Sequence, residues 1–254
     1  MADLSDRTFK VIIFSDSRGR NLAKHLHKVD QTDIDIKYEV QILPGATLDT
    51  IQKRIERSSR RYTWDLCIVL AGICNFTEKI TNRNHRYLQY KTSQLSETKT
   101  TIEQILRSSN DKLHLCTITP AALEKFSNFR KGDDTVQEEQ LNLLKDIEEA
   151  NQTIININIE RDLPTIHLAR LSYSLSLKKQ GPTKKRITKF TPTDLPDGVH
   201  PSRNLEEKWA KYIAKQANSI IRKNQAKLNE EQQDDTEDEA HEESWNFKRQ
   251  KLST

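Results

Sequence analysis

The chain has 254 residues and a mass of 29.6 kDa, room for one large domain or two small ones. Apolar residues make up 34% and charged residues 31%, a deficit of core-forming residues that points to a folded domain followed by a polar tail. No apolar run approaches the ~18 residues of a membrane span, and the first residues lack the basic start and apolar stretch of a secretory leader. Cys67, Cys74 and Cys116 have neither zinc-type nor disulfide-type spacing and read as reduced thiols. These features predict a soluble intracellular protein. Charge is unevenly placed: nine acids fall between Glu230 and Glu243, and Lys248, Arg249 and Lys251 follow. Residues 230–254 therefore carry about −6, leaving about +10 on the body of a chain whose net charge is +4.

Short apolar runs alternate with helical patterns. Phe9 to Phe14 reads as a strand and Arg18 to Lys28 as the helix after it. Tyr38 to Leu43 is a second strand, followed by a helix over Leu48 to Ser58. Leu66 to Ala71 is almost wholly apolar, as suits a strand covered on both faces. Lys91 to Ser108 has helical periodicity, and Leu113 to Ile118 reads as a fourth strand closed by Pro120. A long helix is predicted over Gln137 to Ile159, and a short fifth strand over Thr165 to Leu168. The last helix, Leu205 to Ile221, lines up Leu205, Trp209, Ile213 and Ile220 on one face. Residues 172–200 read as a long, basic, strand-poor connection, and Lys223 onward as disordered. Five strands separated by helices predict a three-layer α/β/α sandwich on a five-stranded parallel sheet, at 1–222, with an acidic tail at 223–254. Sites in such folds gather at the C-terminal ends of the strands.

Four segments fall there. Ser17 in Ser15-Asp16-Ser17-Arg18 sits where the first strand gives way to a helix, although serine or aspartate at that place is equally a helix cap. Pro44-Gly45 follows the second strand, where glycine lets a main-chain N–H approach a ligand or simply turns the chain. Asn75, in Gly72-Ile73-Cys74-Asn75, carries an amide able to donate to a developing oxyanion. Asp197-Gly198-Val199-His200 places an acid three residues before a histidine, so that the carboxylate can hold one imidazole nitrogen while the other acts as base.

Taken together, Ser…Gly…Asn…Asp-x-x-His resembles the SGNH (GDSL-type) hydrolase superfamily across roughly residues 9–221. The resemblance implies Ser17 as nucleophile, His200 as general base and Asp197 as its orienter, with an oxyanion hole from Ser17, Gly45 and Asn75 or Cys74. It also implies hydrolysis of a carboxylic ester, an O-acetyl group among the candidates, through an acyl-serine without cofactor or metal. Two positions depart from the pattern. Ser15 stands at the first glycine of the Gly-Asp-Ser block, and Cys74 at the asparagine of the Gly-x-Asn-Asp block, where a thiol is a weak donor.

A second reading follows from the same fold, because fold alone does not secure activity. Arg60-Arg61-Tyr62, Arg86-Tyr87 and Lys184-Lys185-Arg186 interleave base with aromatic or cluster positive charge, as nucleic-acid contacts do. A weak or inactive SGNH-like module that binds RNA, DNA or protein is the alternative, and related esterase-like domains occur in mobile genetic elements. Lys184-Lys185-Arg186 and Lys248-Arg249-Gln250-Lys251 also resemble nuclear import signals.

Overall fold

The structure is a computed structural model that describes residues 7–29, 34–82, 85–108, 111–126, 134–180 and 183–251, with backbone alone at 82, 85, 175–180, 183–188 and 230–251. Its centre is a four-stranded parallel sheet in the order β2-β1-β3-β6, formed by β1 (Phe9–Ser15), β2 (Ile36–Ile42), β3 (Leu66–Leu70) and β6 (Leu113–Leu115). Strand alternation sends successive side chains to opposite faces, and the core divides accordingly. Ile12, Phe14, Cys67 and Val69 meet α2 (Leu48–Ser59), α4 (Leu95–Ser108) and α6 (Asp134–Glu160) on one side. Phe9, Val11, Ile13, Leu66 and Ile68 meet α1 (Leu22–Leu26) and α7 (Arg203–Lys251) on the other, with Trp209 and Ile213 at its centre. Every residue of β3 is buried, as the continuous apolar run requires.

The expected fifth strand is absent from the sheet. Thr117 N–H reaches Ile166 O at 3.0 Å, but Leu168 already begins a 3₁₀ turn, and one such bond does not make a ladder. Beyond β6, side chains of α6 bind the main chain as it leaves the sheet. Asn151 brackets Ile118, its Oδ1 accepting the N–H at 2.6 Å and its Nδ2 donating to the carbonyl at 3.0 Å. Gln140 does the same for Leu123 N–H and Ala121 O, at 2.8 and 3.0 Å. These side chains satisfy buried main-chain groups that a neighbouring strand would otherwise have to meet.

Other expectations also change. The helix expected over Arg18–Lys28 is a 3₁₀ turn at Ser17–Gly19 followed by the five-residue α1. The stretch between the third strand and α4 holds the short α3 (Ile73–Phe76) and an antiparallel hairpin, β4 (Thr77–Asn82) and β5 (His85–Tyr90). The long basic connection is a second hairpin, β7 (Tyr173–Gln180) and β8 (Thr183–Phe190), with the alternating Tyr-Ser-Leu-Ser-Leu at its start. The segment expected to be disordered from Lys223 continues α7 as helix to Lys251, in a sequence led by Glu, Gln and Lys with neither glycine nor proline.

Candidate active site

Ser17 meets Asp197 and His200, 180 and 183 positions later in the chain, at the C-terminal edge of the sheet. His200 Nδ1 lies 2.6 Å from Asp197 Oδ2, and His200 Nε2 lies 3.0 Å from Ser17 Oγ. A carboxylate only accepts, so Nδ1 carries the imidazole proton and Nε2 is left to accept the Ser17 hydroxyl. Asp197 Oδ1 in turn takes the N–H groups of Val199 and His200, at 3.0 and 2.7 Å. Burial works to raise the Asp197 pKa, but the bonds from the His200 ring and from these two N–H groups outweigh it and hold the carboxyl below its ordinary value. The side chains of His200 and Asp197 are 37% and 49% exposed, so the site is open.

The nucleophile side is built from buried polar groups. Ser15 ends β1 and donates its hydroxyl to Leu70 O at 3.0 Å. A side-chain carbon at Gly19 would overlap the Ser15 side chain, so the glycine absent at position 15 is offset by one four residues later. Asp16 caps the 3₁₀ turn, its Oδ1 accepting Arg18 N–H at 2.9 Å. Its carboxylate also pairs with the Arg18 guanidinium, Nη2 to Oδ2 at 3.0 Å, and both side chains are wholly buried. Arg18 Nη1 then donates to Thr119 O at 2.6 Å and to Thr119 Oγ1. Neither Arg18 nor Thr119 stood out in the sequence, where Arg18 is one polar residue among Ser15, Asp16, Ser17, Arg20 and Asn21.

The base side is held by main chain. Ala122 N–H donates to Gly198 O at 2.6 Å, and Lys125 Nζ, on α5 (Leu123–Phe126), reaches Pro192 O at 2.7 Å. Gly198 has φ +83°, and a side-chain carbon there would overlap Ala122 O. Only glycine fits so close an approach. Ser202 then caps α7, its hydroxyl taking Leu205 N–H at 3.3 Å.

The oxyanion residues divide. Gly45 follows β2 with φ +74°, and its loop is tied to β1 by Leu43 N–H to Ser15 O at 2.7 Å. Gly72 has φ +119°, and a side chain there would overlap Ile118. Asn75 is buried with its Oδ1 on Leu48 N–H at 3.0 Å, which pins the amide to the start of α2, three residues past Gly45. Cys74 is half-buried, and Lys91 Nζ binds its carbonyl at 2.8 Å. Burial, with the Asp16 charge beside it, pushes the Cys74 thiol up to about 11, so it is protonated at neutral pH.

Of the basic residues, Arg60 and Arg61 lie away from this site. Arg60 and Arg61 are exposed just past the end of α2, at the opposite edge of the sheet, and Arg86 is exposed on β5. Lys184, Lys185 and Arg186 lie on β8, where the backbone alone is described. Among the described residues, no helix is long and apolar enough to cross a membrane.

The fold is that of the GDSL-like (SGNH) hydrolases. It superposes on a GDSL-like lipase from Bacteroides thetaiotaomicron with a TM-score of 0.55 at 15% identity, covering 88% of this chain and 92% of that one. A lipase/acylhydrolase from Enterococcus faecalis gives 0.51 at 15% identity, covering 82% and 94%. An acetyl xylan esterase gives 0.50 at 14% identity, covering 84% and 99%. No protein-family model matches the sequence, and no curated protein matches it.

Proposed function

We propose that the protein is a serine hydrolase that cleaves a carboxylic ester through an acyl-Ser17 intermediate. The observation that carries this reading is the continuous bond path Ser17 Oγ, His200 Nε2, His200 Nδ1, Asp197 Oδ2, at 3.0 and 2.6 Å. His200 takes the hydroxyl proton as Oγ attacks the ester carbonyl. The tetrahedral oxyanion is held by the Ser17 and Gly45 N–H groups and by Asn75 Nδ2, the amide's oxygen being already engaged. Collapse expels the alcohol, which receives the proton from His200, and water then repeats the sequence to release the acid. An open site fits a small acyl group, and acetyl on a larger alcohol is the substrate class that suits it; the acetyl xylan esterase among the structural neighbours is in keeping with this.

The test is labelling with a fluorophosphonate probe together with hydrolysis of an activated acetyl ester. Wild type is expected to show both, and Ser17→Ala neither. Equal hydrolysis by the two proteins would overturn the assignment.

A further inference from the structure

At the edge of the sheet opposite Ser17, the turn between α2 and β3 carries Tyr62, 63% exposed and the only large aromatic so exposed among the described residues. The twelve residues of α2 separate it from the Gly45 loop by about 18 Å of helix axis. The turn is firmly held. Arg61 N–H and Tyr62 N–H both donate to Ser58 O at 2.9 Å, and Asp65 N–H donates to Lys10 O at 2.9 Å. Trp64 is half-buried and set edge-on against Phe14, with centroids 6.4 Å apart.

A cavity lies on either side of this turn, and Tyr62, Thr63 and Trp64 line both. One, of about 380 Å³, is walled by Ile55, Ile105 and Leu113. The other, of about 390 Å³, is bordered by Lys10, Lys37 and Arg61. These three cations and the adjacent Arg60 are exposed and have no ion-pair partner among the described residues. The acids at the two cavities are Glu56 and Glu39, and Glu39 is already engaged by Gln41 Nε2 at 2.9 Å. Asp65 close by is neutralised by Arg7 at 2.6 Å.

An exposed aromatic ring on a rigid turn, with a partly apolar hollow on one side and, on the other, cations unpaired among the described residues, is built to stack a planar group that carries negative charge beside it. We infer that this edge binds single-stranded nucleic acid: a base stacks on Tyr62, its neighbour enters the hollow beside Trp64, and Arg60, Arg61, Lys10 and Lys37 meet the phosphates. Duplex does not fit, because its bases are already stacked on one another and cannot reach the ring. The surface is independent of the hydrolase chemistry, which lies at the other edge.

The experiment is fluorescence anisotropy of a labelled 12-nucleotide single-stranded oligouridylate on the full chain, between 50 and 200 mM salt. Tyr62→Ala is expected to weaken binding about tenfold, within the range of one lost base stack, while Tyr62→Phe keeps wild-type affinity. The double change Arg60→Ala, Arg61→Ala is expected to lower the slope of log affinity against log salt by about 1.4, two phosphate contacts at roughly 0.7 each. Ser17→Ala is expected to bind like wild type. The inference is overturned if no binding occurs at 50 mM salt, or if Tyr62→Ala binds as wild type. It is equally overturned if Phe fails to rescue, if a duplex of the same length binds as tightly, or if replacing Lys184, Lys185 and Arg186 alone abolishes binding. Tyr62 is exposed, so an unchanged melting temperature is expected to accompany each result.

Discussion

The two halves of the catalytic edge are held in opposite ways. Ser17 stands on a buried ion pair, Asp16 with Arg18, that is bolted to Thr119 across 101 positions of chain. His200 and Asp197 stand in a half-exposed loop fixed by main-chain bonds and by a glycine pressed against Ala122. The contrast teaches that a 3.0 Å contact between nucleophile and base needs only one rigid partner in the core. The base can remain near water, where it must pass protons, provided its backbone has no freedom.

The largest effect that would sharpen this contrast is on stability. Arg18→Met strands the Asp16 carboxylate without its partner, and loss of about 3–5 kcal/mol is expected in urea unfolding. Restoring balance with Asp16→Asn in the same chain should recover part of it. His200→Ala, by contrast, should leave the unfolding midpoint within about 0.5 kcal/mol of wild type, as expected of a surface position. If the two single changes cost the same, the two halves are not built differently.

Next in size is the oxyanion residue. Asn75→Ala is expected to lower kcat by about 10²–10³, the usual effect of losing one oxyanion donor. Cys74→Ala should leave kcat near wild type, since its thiol is a poor donor. A large loss at Cys74 with none at Asn75 would reverse the assignment.

The smallest effect is on pH dependence. The folded Asp197 carboxyl titrates below its ordinary 3.8, so its stabilising contribution is complete above 3.8 and is lost as pH falls through the lower, folded value. Thermal unfolding of wild type and Asp197→Asn should therefore differ by a constant amount from pH 7 to 5, and converge only in stronger acid. Because the side chain is half exposed, the difference is expected to be small. Convergence already at pH 5 would contradict the depressed value.

Much of this site was legible because its chemistry is written locally. Asp197, Gly198 and His200 are neighbours, and Ser17 follows an apolar run that could only be a strand. What could not be read is long-range. Nothing near Arg18 announces Thr119, and nothing near Ile118 announces that Asn151 binds its main chain. The fifth strand fell short because Thr165-Ile166-His167, strand-like in composition, makes one main-chain bond to Thr117 before a 3₁₀ turn begins at Leu168. The two hairpins were missed differently. Their sequences are rich in polar and basic residues, so period-2 alternation is diluted in Thr77–Tyr90 and hidden by lysines in Thr183–Phe190. Asn75 was found as a residue, but its anchoring to α2 depends on a contact 27 positions away.

The amides of Asn151 and Gln140 have a consequence beyond catalysis. Past β6 the chain leaves the sheet, and its buried main-chain groups at Ile118, Ala121 and Leu123 still need partners. Two side chains from α6 occupy those groups in pairs, each amide imitating the donor and acceptor of a passing backbone. The chain thus departs from the sheet without leaving these groups bare. That pairing lets the residues between them turn away from the sheet toward the base, where Ala122 N–H meets Gly198 O.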